Sequence, residues 1–187
     1  MAFDYPIVLD LAGVPVLVVG GGRVALRKIE GLLAARADVT AVAIHVIDAI
    51  HALPLQVVTR AWETSDLDAA RLVVTATDDP AVNAAVSAEA RRRGIWVNSA
   101  DDPANCTFTL PAVARDGAVT IAVSTGGASP ALASHLRGEL ERWLTELGAG
   151  DAAATLSGQR SELQARGVST ESIDWSARVR AALRPKP

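Results

Sequence analysis

The chain has 187 residues, of which 50% are hydrophobic and 21% charged, so it has enough apolar material for a packed core. Aromatic residues make up 4% and the net charge is −3, which gives no basis for binding nucleic acid or an anionic membrane surface. Cys106 is the single cysteine, which excludes an intramolecular disulfide framework, and neither a secretory signal nor a membrane-spanning run is visible. The sequence therefore predicts a cytoplasmic globular protein with neither a nucleic-acid nor a membrane partner.

The first hundred residues alternate between short apolar runs and amphipathic helical patterns. The predicted elements, in chain order, are strand 14–20, helix 24–35, strand 39–44, a helix near 46–52, strands 56–59 and 72–75, a helix to about residue 93 and strand 95–98. Asp79 followed by Pro80 predicts the N-cap and first residue of that last helix. This alternation predicts an α/β fold with a Rossmann-like, doubly wound parallel sheet covered by helices on both faces.

The pattern changes after residue 104. Residues 107–110 and 118–124 are predicted to be two strands joined around Asp116-Gly117, forming a β-hairpin or arm. Ser129-Pro130 predicts the start of a helix that reaches Leu147 and is ended by Gly148 and Gly150. Two C-terminal helices are predicted at about 156–166 and 170–183. The chain is accordingly divided into segments 1–104, 105–147 and 148–187.

A glycine-rich turn connects the first predicted strand to the first predicted helix. Its sequence, Gly20-Gly21-Gly22-Arg23-Val24-Ala25, fits the G-x-G-x-x-G/A dinucleotide fingerprint. Gly20 permits a tight turn, Gly22 lets the backbone approach a pyrophosphate, and the small Ala25 lets the helix pack on the strand. The free N–H groups and the positive end of the helix dipole then stabilise the diphosphate. Such glycines can also make only a tight connection, but the flanking strand and helix favour nucleotide binding.

One part of the fingerprint is missing. The acid that holds the adenine ribose in such folds lies about 20 residues further on, at the end of the second strand. Here that position is occupied by Ile44 and His45. We therefore expect backbone groups or other side chains to hold the ribose, and charge alone does not decide between NAD and NADP.

Five stretches share their order and spacing with a known family. They are Gly20-Gly21-Gly22-x-Val24-Ala25-x-Arg27-Lys28, Val39-Thr40-x-Val42-Ala43, Ala76-Thr77-Asp78-Asp79-Pro80-x-x-Asn83, Val97-Asn98-x-x-Asp101-Asp102-Pro103 and Ala122-Val123-Ser124-Thr125-Gly126-Gly127-x-Ser129-Pro130. Together they resemble the siroheme synthase N-terminal family, whose activity is precorrin-2 dehydrogenase, joined in some members to sirohydrochlorin ferrochelatase. The resemblance covers about residues 3–147.

The resemblance implies NAD-dependent oxidation of precorrin-2 to sirohydrochlorin, within siroheme or other modified tetrapyrrole biosynthesis. It implies that Asp101 is the catalytic residue; without it, Asp101-Asp102-Pro103 is typical of a simple turn. The cofactor contacts implied by the motif and the resemblance are Gly20, Gly21, Gly22, Arg23, Val24, Ala25, Ile44, His45, Thr77 and Asp78. The segment 1–104 is then the NAD-binding domain, and 148–187 is a helical region without an assigned role.

The resemblance also assigns segment 105–147 to dimerisation and substrate binding, and so implies a homodimer. The turn formed by Ser124, Thr125, Gly126, Gly127 and Ser129 precedes a helix, which is typical of a site for the carboxylates of the tetrapyrrole. Ser129 can equally serve only as the helix cap. Arg115, His135 and Arg137 are further candidates for carboxylate binding, against the alternative of ordinary surface charge. The three histidines lack metal-ligand spacing, so no dedicated metal site is predicted.

Two other functions stay open at this stage. A bifunctional enzyme would also insert Fe²⁺ or Co²⁺ into sirohydrochlorin, and nothing in the sequence separates it from a dehydrogenase alone. A non-catalytic NAD-sensing module would bind the nucleotide without turnover. A short-chain dehydrogenase is disfavoured because the only tyrosine, Tyr5, leaves no Tyr-x-x-x-Lys pair.

Overall fold

A computed structural model describes residues 5–183, which fall into two compact units that divide between Leu110 and Pro111. The strands are β1 (Pro15–Val19), β2 (Asp38–Ala43), β3 (Gln56–Thr59), β4 (Leu72–Thr75), β5 (Trp96–Ser99), β6 (Ala112–Asp116) and β7 (Val119–Val123). The helices are α1 (Arg23–Ala34), α2 (Asp48–His51), α3 (Pro80–Arg92), α4 (Pro130–Leu147), α5 (Ala149–Ala165) and α6 (Ser176–Ala182). The functional division into segments 1–104, 105–147 and 148–187 stays a prediction.

The first unit is a parallel sheet with the strand order β3-β2-β1-β4-β5, which confirms the predicted doubly wound fold. Alternate residues of β1 point to opposite faces, and both faces are covered. Val16 and Val18 pack with Ile29 of α1, whereas Leu17 packs with Val86 of α3 on the other side. This two-sided burial explains why the central strands are continuous apolar runs rather than alternating ones.

The predicted start of α3 is confirmed. The Asp79 carboxylate accepts the backbone N–H of Ala81 at 2.8 Å, and Pro80 occupies the first helical position. Proline fits there because the first N–H groups of a helix have no partner within it. This cap fixes the point at which the chain leaves the carboxyl end of β4 and enters α3.

The second unit consists of the antiparallel hairpin β6–β7 and the helices that follow it. Ala114 of the hairpin is buried with Leu144 of α4 and Ala149 of α5. Ser129 caps α4 as predicted, accepting the N–H of Leu132 at 3.2 Å. The helices within residues 5–183 include none that is long and apolar enough to cross a membrane.

The first strand of the hairpin was predicted at the wrong place. Residues 107–110 are not a strand, and β6 begins only at Ala112. The N–H of Thr107 donates to the carbonyl of Val97 at 2.8 Å, while the Thr107 hydroxyl accepts the N–H of Val97. A side chain thus takes the place of a backbone partner, so the segment lies along the edge of β5 without becoming a sixth strand.

Two C-terminal boundaries also differ from the prediction. Gly148 adopts a left-handed conformation (φ 65°) and ends α4, but Gly150 lies inside α5, which begins at Ala149 instead of near 156. The Asp116 carboxylate accepts the N–H of Gly150 at 2.8 Å and stabilises this early start. The last helix begins at Ser176 rather than 170 and ends at Ala182.

Candidate active site

The first two glycines of the turn after β1 are held tightly against neighbouring backbone. Gly20 has φ +139°, and a methyl group added to it would lie 2.7 Å from the carbonyl carbon of Ala76, just beyond β4. A methyl group on Gly21 would overlap the carbonyl of His45 and approach Val46 Cα to 2.9 Å. Real Cβ atoms do not occupy such positions, so only glycine allows the turn to pack between the ends of β4 and β2.

Gly22 lies in a different environment. A methyl group added to it would meet no atom within 4 Å, so the space in front of its backbone is open. Gly22 is the N-cap of α1, and no side chain caps this helix start. The backbone N–H groups of the first helical turn therefore remain available, together with the positive end of the helix dipole. This geometry fits a pyrophosphate, as the glycine fingerprint predicts.

The turn lies where the strand order reverses. β2 is on one side of β1 and β4 on the other, so the connections after β1 and β4 run to opposite faces of the sheet. Open α/β sheets bind ligands in the crevice that this divergence creates at the carboxyl ends of the strands. The close approach of Gly20 to Ala76 lies at that crevice. A dinucleotide is therefore expected to bind across the ends of β1 and β4.

The remaining candidate cofactor residues lie at the same edge of the sheet. Ile44 and His45 follow β2 and are both exposed, while Thr77 and Asp78 follow β4. The Thr77 hydroxyl donates to the Asn83 side-chain oxygen at 2.8 Å, and the Asn83 amide donates to the Thr77 carbonyl at 3.0 Å. These bonds fix the backbone of Thr77 to α3, whereas the Asp78 side chain is free to reach solvent or a ligand.

Asp101 follows β5 and has a left-handed backbone conformation, with φ 58°. This conformation is costly for a residue with a side chain, although Asp and Asn tolerate it best. Its side chain is exposed, and its neighbour Asp102 has a structural contact instead, accepting the Asn105 amide at 2.6 Å. The Asp101 carboxylate is therefore exposed to solvent, whereas the Asp102 carboxylate stabilises the loop through its hydrogen bond with Asn105.

In the second unit, the structure brings together the candidate substrate loop between β7 and α4. The Ser129 N–H donates to the Thr125 hydroxyl at 3.1 Å, and that hydroxyl donates to the Ser129 carbonyl at 3.2 Å. The Gly126 N–H donates to the Ser124 hydroxyl at 3.2 Å. Gly126 and Gly127 have φ values of 61° and 89°, which side chains rarely adopt. The result is a compact turn at the start of α4.

The three candidate basic residues of this unit have different partners. Arg115 is exposed on β6, and His135 is exposed on α4 with Glu139 at 4.0 Å. Arg137 forms an ion pair with Glu141 at 2.6 Å, one helical turn away. An anionic ligand would therefore have to compete with Glu141 for Arg137, whereas the Arg115 side chain is exposed. Within residues 5–183, His, Cys, Asp and Glu side chains form no group of three suited to holding a metal ion.

Comparison with known proteins identifies the family. Residues 7–112 match the family described as putative NAD(P)-binding, and residues 116–142 match the one described as sirohaem biosynthesis protein central. The chain belongs to the siroheme synthase N-terminal family. It is 48% identical to a siroheme synthase of Methylococcus capsulatus over 143 residues, covering 74% of this chain and 30% of the relative. A siroheme synthase of Pseudomonas entomophila is 44% identical over 146 residues, covering 75% of this chain and 32% of the relative.

A solved structure extends this similarity. SirC, a precorrin-2 dehydrogenase, matches with a TM-score of 0.72 and 29% identity, covering 95% of this chain and 87% of SirC. By contrast, the chain spans about a third of the length of the siroheme synthases it matches. The chain is therefore similar to SirC over nearly its whole length and to the siroheme synthases over about a third of theirs.

Lys28, quoted above only as part of a family motif, has an electrostatic role that sequence reasoning missed. It is half-buried on α1, and burial lowers its pKa, with a smaller contribution from repulsion by Arg27. The negative charge of Asp101 acts in the opposite direction, which places Lys28 within electrostatic range of that carboxylate. Its position three residues after the buried Ala25, on the same helix face, is the sequence signal that was available.

Buried polar groups around β5 were missed as well. Asn98 is 6% exposed and donates to the carbonyl of Phe108 at 3.1 Å, while its side-chain oxygen has no partner among the described residues. Ser99 donates its backbone N–H to the Cys106 sulfur at 3.1 Å. Burial raises the pKa of the Cys106 thiol, which keeps it protonated and inert. In this member of the siroheme synthase N-terminal family, buried polar groups of β5 and Cys106 therefore lie next to the loop that carries Asp101.

Proposed function

We propose that this chain is an NAD-dependent precorrin-2 dehydrogenase that oxidises precorrin-2 to sirohydrochlorin. The similarity to SirC over nearly the whole chain supports this function. The observation that carries it is the exposed Asp101 carboxylate, presented after β5 at the sheet edge that also carries the open glycine turn. A sensing module would need the dinucleotide site but not an exposed acid beside it.

In this proposal the chain binds the cofactor through the turn after β1. The N–H groups at the start of α1 donate to the pyrophosphate, and the open face of Gly22 allows the close approach. Thr77 and Asp78 border the nicotinamide half, since β4 lies between β1 and β5. When bound, NAD would supply the acceptor for the hydride that leaves a reduced carbon of the macrocycle.

Asp101 acts as the general base that removes the proton lost together with the hydride. β5 is two strands from β1, and adjacent strands are about 4.8 Å apart, so Asp101 lies roughly 10 Å across the sheet from the glycine turn. This spacing leaves room for a ring system between the base and the pyrophosphate. The left-handed backbone conformation of Asp101 belongs to a turn in which the carboxylate is exposed to solvent.

The carboxylates of the tetrapyrrole are proposed to bind in the second unit. The turn formed by Ser124, Thr125, Gly126, Gly127 and Ser129 lies at the start of a long helix, and its Ser124 and Ser129 hydroxyls accept backbone N–H groups and can donate their own protons to a ligand. Arg115 supplies an exposed guanidinium, and His135 and Arg137 supply further donors along α4.

We further propose a cytoplasmic homodimer. On α4, the apolar side chains of Leu132, Leu136 and Trp143 are 49%, 39% and 50% exposed and recur at helical spacing. Three large exposed apolar residues on one helix are typical of an interface between protein chains. Light scattering at micromolar concentration tests this proposal, and Leu136→Asp is expected to shift a dimer toward the monomer.

Substitution of Asp101 by Asn tests the catalytic proposal. Asn tolerates the left-handed conformation and keeps the size of the side chain, but it cannot accept the proton. Under anaerobic conditions with precorrin-2 and NAD, we expect Asp101→Asn to lose about a hundredfold or more in kcat while NADH affinity stays unchanged. Asp102→Asn is the matched control, because Asp102 only holds Asn105, and it is expected to retain turnover.

Two readouts separate the possible outcomes. Formation of NADH and the spectrum of sirohydrochlorin are followed together, so that uncoupled cofactor reduction is recognised. Unchanged turnover in Asp101→Asn would remove this residue from the mechanism, and dinucleotide binding without turnover by the unmodified chain would favour the sensing module. Adding Fe²⁺ or Co²⁺ to the product, against a control without enzyme, tests for the second activity of metal insertion.

A further inference from the structure

The backbone of Asp101 has a conformation that its loop must enforce. Its φ of 58° is left-handed, and a residue with a side chain keeps this conformation only where the surrounding contacts fix the chain on both sides of it. Before Asp101, the N–H of Ala100 donates to the carbonyl of Thr75 in β4 at 2.8 Å. After Asp101, the chain enters a short 3₁₀ helix over Pro103–Asn105 and then reaches the buried Cys106. The contacts of this following segment therefore decide how firmly the Asp101 carboxylate is placed.

The Cys106 thiol attaches one side of this segment to β5. Its sulfur accepts the N–H of Ser99 at 3.1 Å, and it lies 3.2 Å from the carbonyl of Ser99 and 3.3 Å from that of Asp102. The protonated thiol can donate to either carbonyl. Because these contacts join residues on both sides of Asp101, they close the base of the loop.

Arg91 attaches the other side of the segment to α3. A single nitrogen of its guanidinium, Nη2, donates to the carbonyl of Ala104 at 2.7 Å and to the carbonyl of Cys106 at 3.0 Å. Bonds from a charged donor are stronger than bonds between neutral groups. Arg91 lies in the last turn of α3, next to Ala90, which is buried with Val86 against the sheet. The loop is thus attached to a helix whose own position is fixed by the core.

Arg91 is also remote from the edge of the sheet at which the cofactor is proposed to bind. The helix α3 begins at Pro80, just after β4, and runs back toward the start of β5. With a rise of about 1.5 Å per residue, Arg91 lies about 16 Å along the helix from Pro80. An effect of Arg91 on the reaction would therefore have to pass through the loop that it holds.

Two further arginines follow Arg91, and they have other partners. Arg92 donates to the carboxylate of Glu89 at 2.6 and 2.8 Å. Arg93 donates to Glu89 and to Asp68, each at 2.6 Å. Of these three arginines, Arg91 is the one that bonds the loop within residues 5–183. Arg92 therefore offers a matched control of the same residue type, on the same helix and equally exposed.

We propose that Arg91 is a positioning residue for Asp101 and acts through the two loop carbonyls that it binds. The inference rests on the proposed function, in which Asp101 is the general base. Arg91 fixes the loop, and the loop fixes the carboxylate relative to the carbon that loses its hydride. A displacement of about 1 Å in a reacting group can cost about a hundredfold in rate, so this remote contact is sufficient to affect kcat.

Substitution of Arg91 by Met tests the proposal in the full chain, because Met keeps an apolar stem but has no donor. In anaerobic turnover of precorrin-2 with NAD, we expect Arg91→Met to lower kcat about ten- to a hundredfold. The KM for precorrin-2 and the dissociation constant of NADH should stay within about twofold. Arg92→Met should retain kcat. Arg91→Lys should recover part of the loss, since one ammonium nitrogen can donate to both carbonyls as Nη2 does.

A double substitution distinguishes positioning of Asp101 from a general structural role. Asp101→Asn has already lost the base, so adding Arg91→Met to it should lower kcat by less than about twofold. A general structural role would lower kcat by the same factor in both backgrounds. Hydrogen exchange of the amides of residues 100–106 gives a readout that needs no turnover. We expect exchange there to be faster in Arg91→Met and unchanged in Arg92→Met.

The inference is overturned if Arg91→Met keeps the kcat of the unmodified chain or leaves the exchange of residues 100–106 unchanged. It is also overturned if Arg91→Met has its full effect in the Asp101→Asn background, because Arg91 would then act independently of that carboxylate. An unmodified chain without turnover would overturn the proposed function instead. In that case the exchange measurement alone decides whether Arg91 holds the loop.

Discussion

The second and third glycines of the turn after β1 should respond in opposite ways to the same substitution. In Gly21→Ala, the added methyl group would overlap the carbonyl of His45 and lie 2.9 Å from Val46 Cα, so the loop after β2 must move. Forcing a methyl group into packed backbone costs about 1–3 kcal/mol. Movement of the loop also breaks the bond from Ile47 to Gly21, worth about 1 kcal/mol. We therefore expect a loss of about 2–4 kcal/mol in the free energy of unfolding.

In Gly22→Ala, the methyl group meets no atom within 4 Å, and the backbone φ of −94° suits any residue. The free energy of unfolding should therefore change by less than about 1 kcal/mol. The methyl group nevertheless fills the open space that we propose for the approach of the pyrophosphate to the start of α1. We expect NADH affinity to fall at least about tenfold, which corresponds to about 1.4 kcal/mol.

Urea denaturation followed by circular dichroism measures the first effect, and NADH fluorescence titration measures the second. Each variant serves as the control for the other, because one should lose stability and the other should lose binding with the fold intact. Unchanged NADH binding in Gly22→Ala would mean that the cofactor does not approach this backbone. Unchanged stability in Gly21→Ala would refute the reasoning from close packing.

Three further predictions follow from contacts outside the turn. Asp116→Ala removes the acceptor for the N–H of Gly150 at 2.8 Å and should lower the urea midpoint by an amount equivalent to about 1–2 kcal/mol, with Asp116→Asn losing less. Hydrogen bonds from Arg92 and Arg93 lower the pKa of Glu89 to about 2. The contribution of the Glu89 carboxylate to stability is therefore present above the ordinary pKa of 4.5 and is lost as the pH falls toward 2. Glu89→Gln should therefore flatten the acid-induced loss of stability in that interval, as measured by denaturation at a series of pH values. Burial lowers the pKa of Lys28, so the Lys28 amine should titrate below 10.5 in ¹³C-lysine NMR, with its signal assigned by comparison with Lys28→Arg. Because native Lys28 then loses its proton at a lower pH than it does in the unfolded chain, the free energy of unfolding should rise with pH in the interval below 10.5. A midpoint at or above 10.5 would contradict the burial of this amine.

Signals that act over a few residues were sufficient to predict much of the fold. Apolar runs predicted the central strands, because a strand covered on both faces needs continuous apolar residues. The pairs Asp79-Pro80 and Ser129-Pro130 predicted the starts of two helices, since an N-cap bond and proline at the first helical position involve only adjacent residues. The glycine turn was located for the same reason, although its proposed role with a dinucleotide stays a prediction.

Boundaries that depend on distant partners were not predictable in this way. Residues 107–110 have the composition of a strand, but bonds between Thr107 and Val97 of β5 hold them as a loop. The start of α5 was missed because it depends on the carboxylate of Asp116, which lies 34 residues from Gly150. In both cases a partner remote in sequence decides between local conformations of similar energy.

The sequence by itself determined the order of strands and helices along the first unit, the caps of α3 and α4 and the position of the glycine turn, because each depends on neighbouring residues. Only the tertiary structure decided that Gly20 and Gly21 are required by packing whereas Gly22 faces open space. It also decided that Lys28 is half-buried and lies within electrostatic range of Asp101. These properties depend on which atoms surround each residue. The carboxyl ends of separate strands meet at one edge of the sheet, and their separation along the chain does not show which atoms become neighbours there.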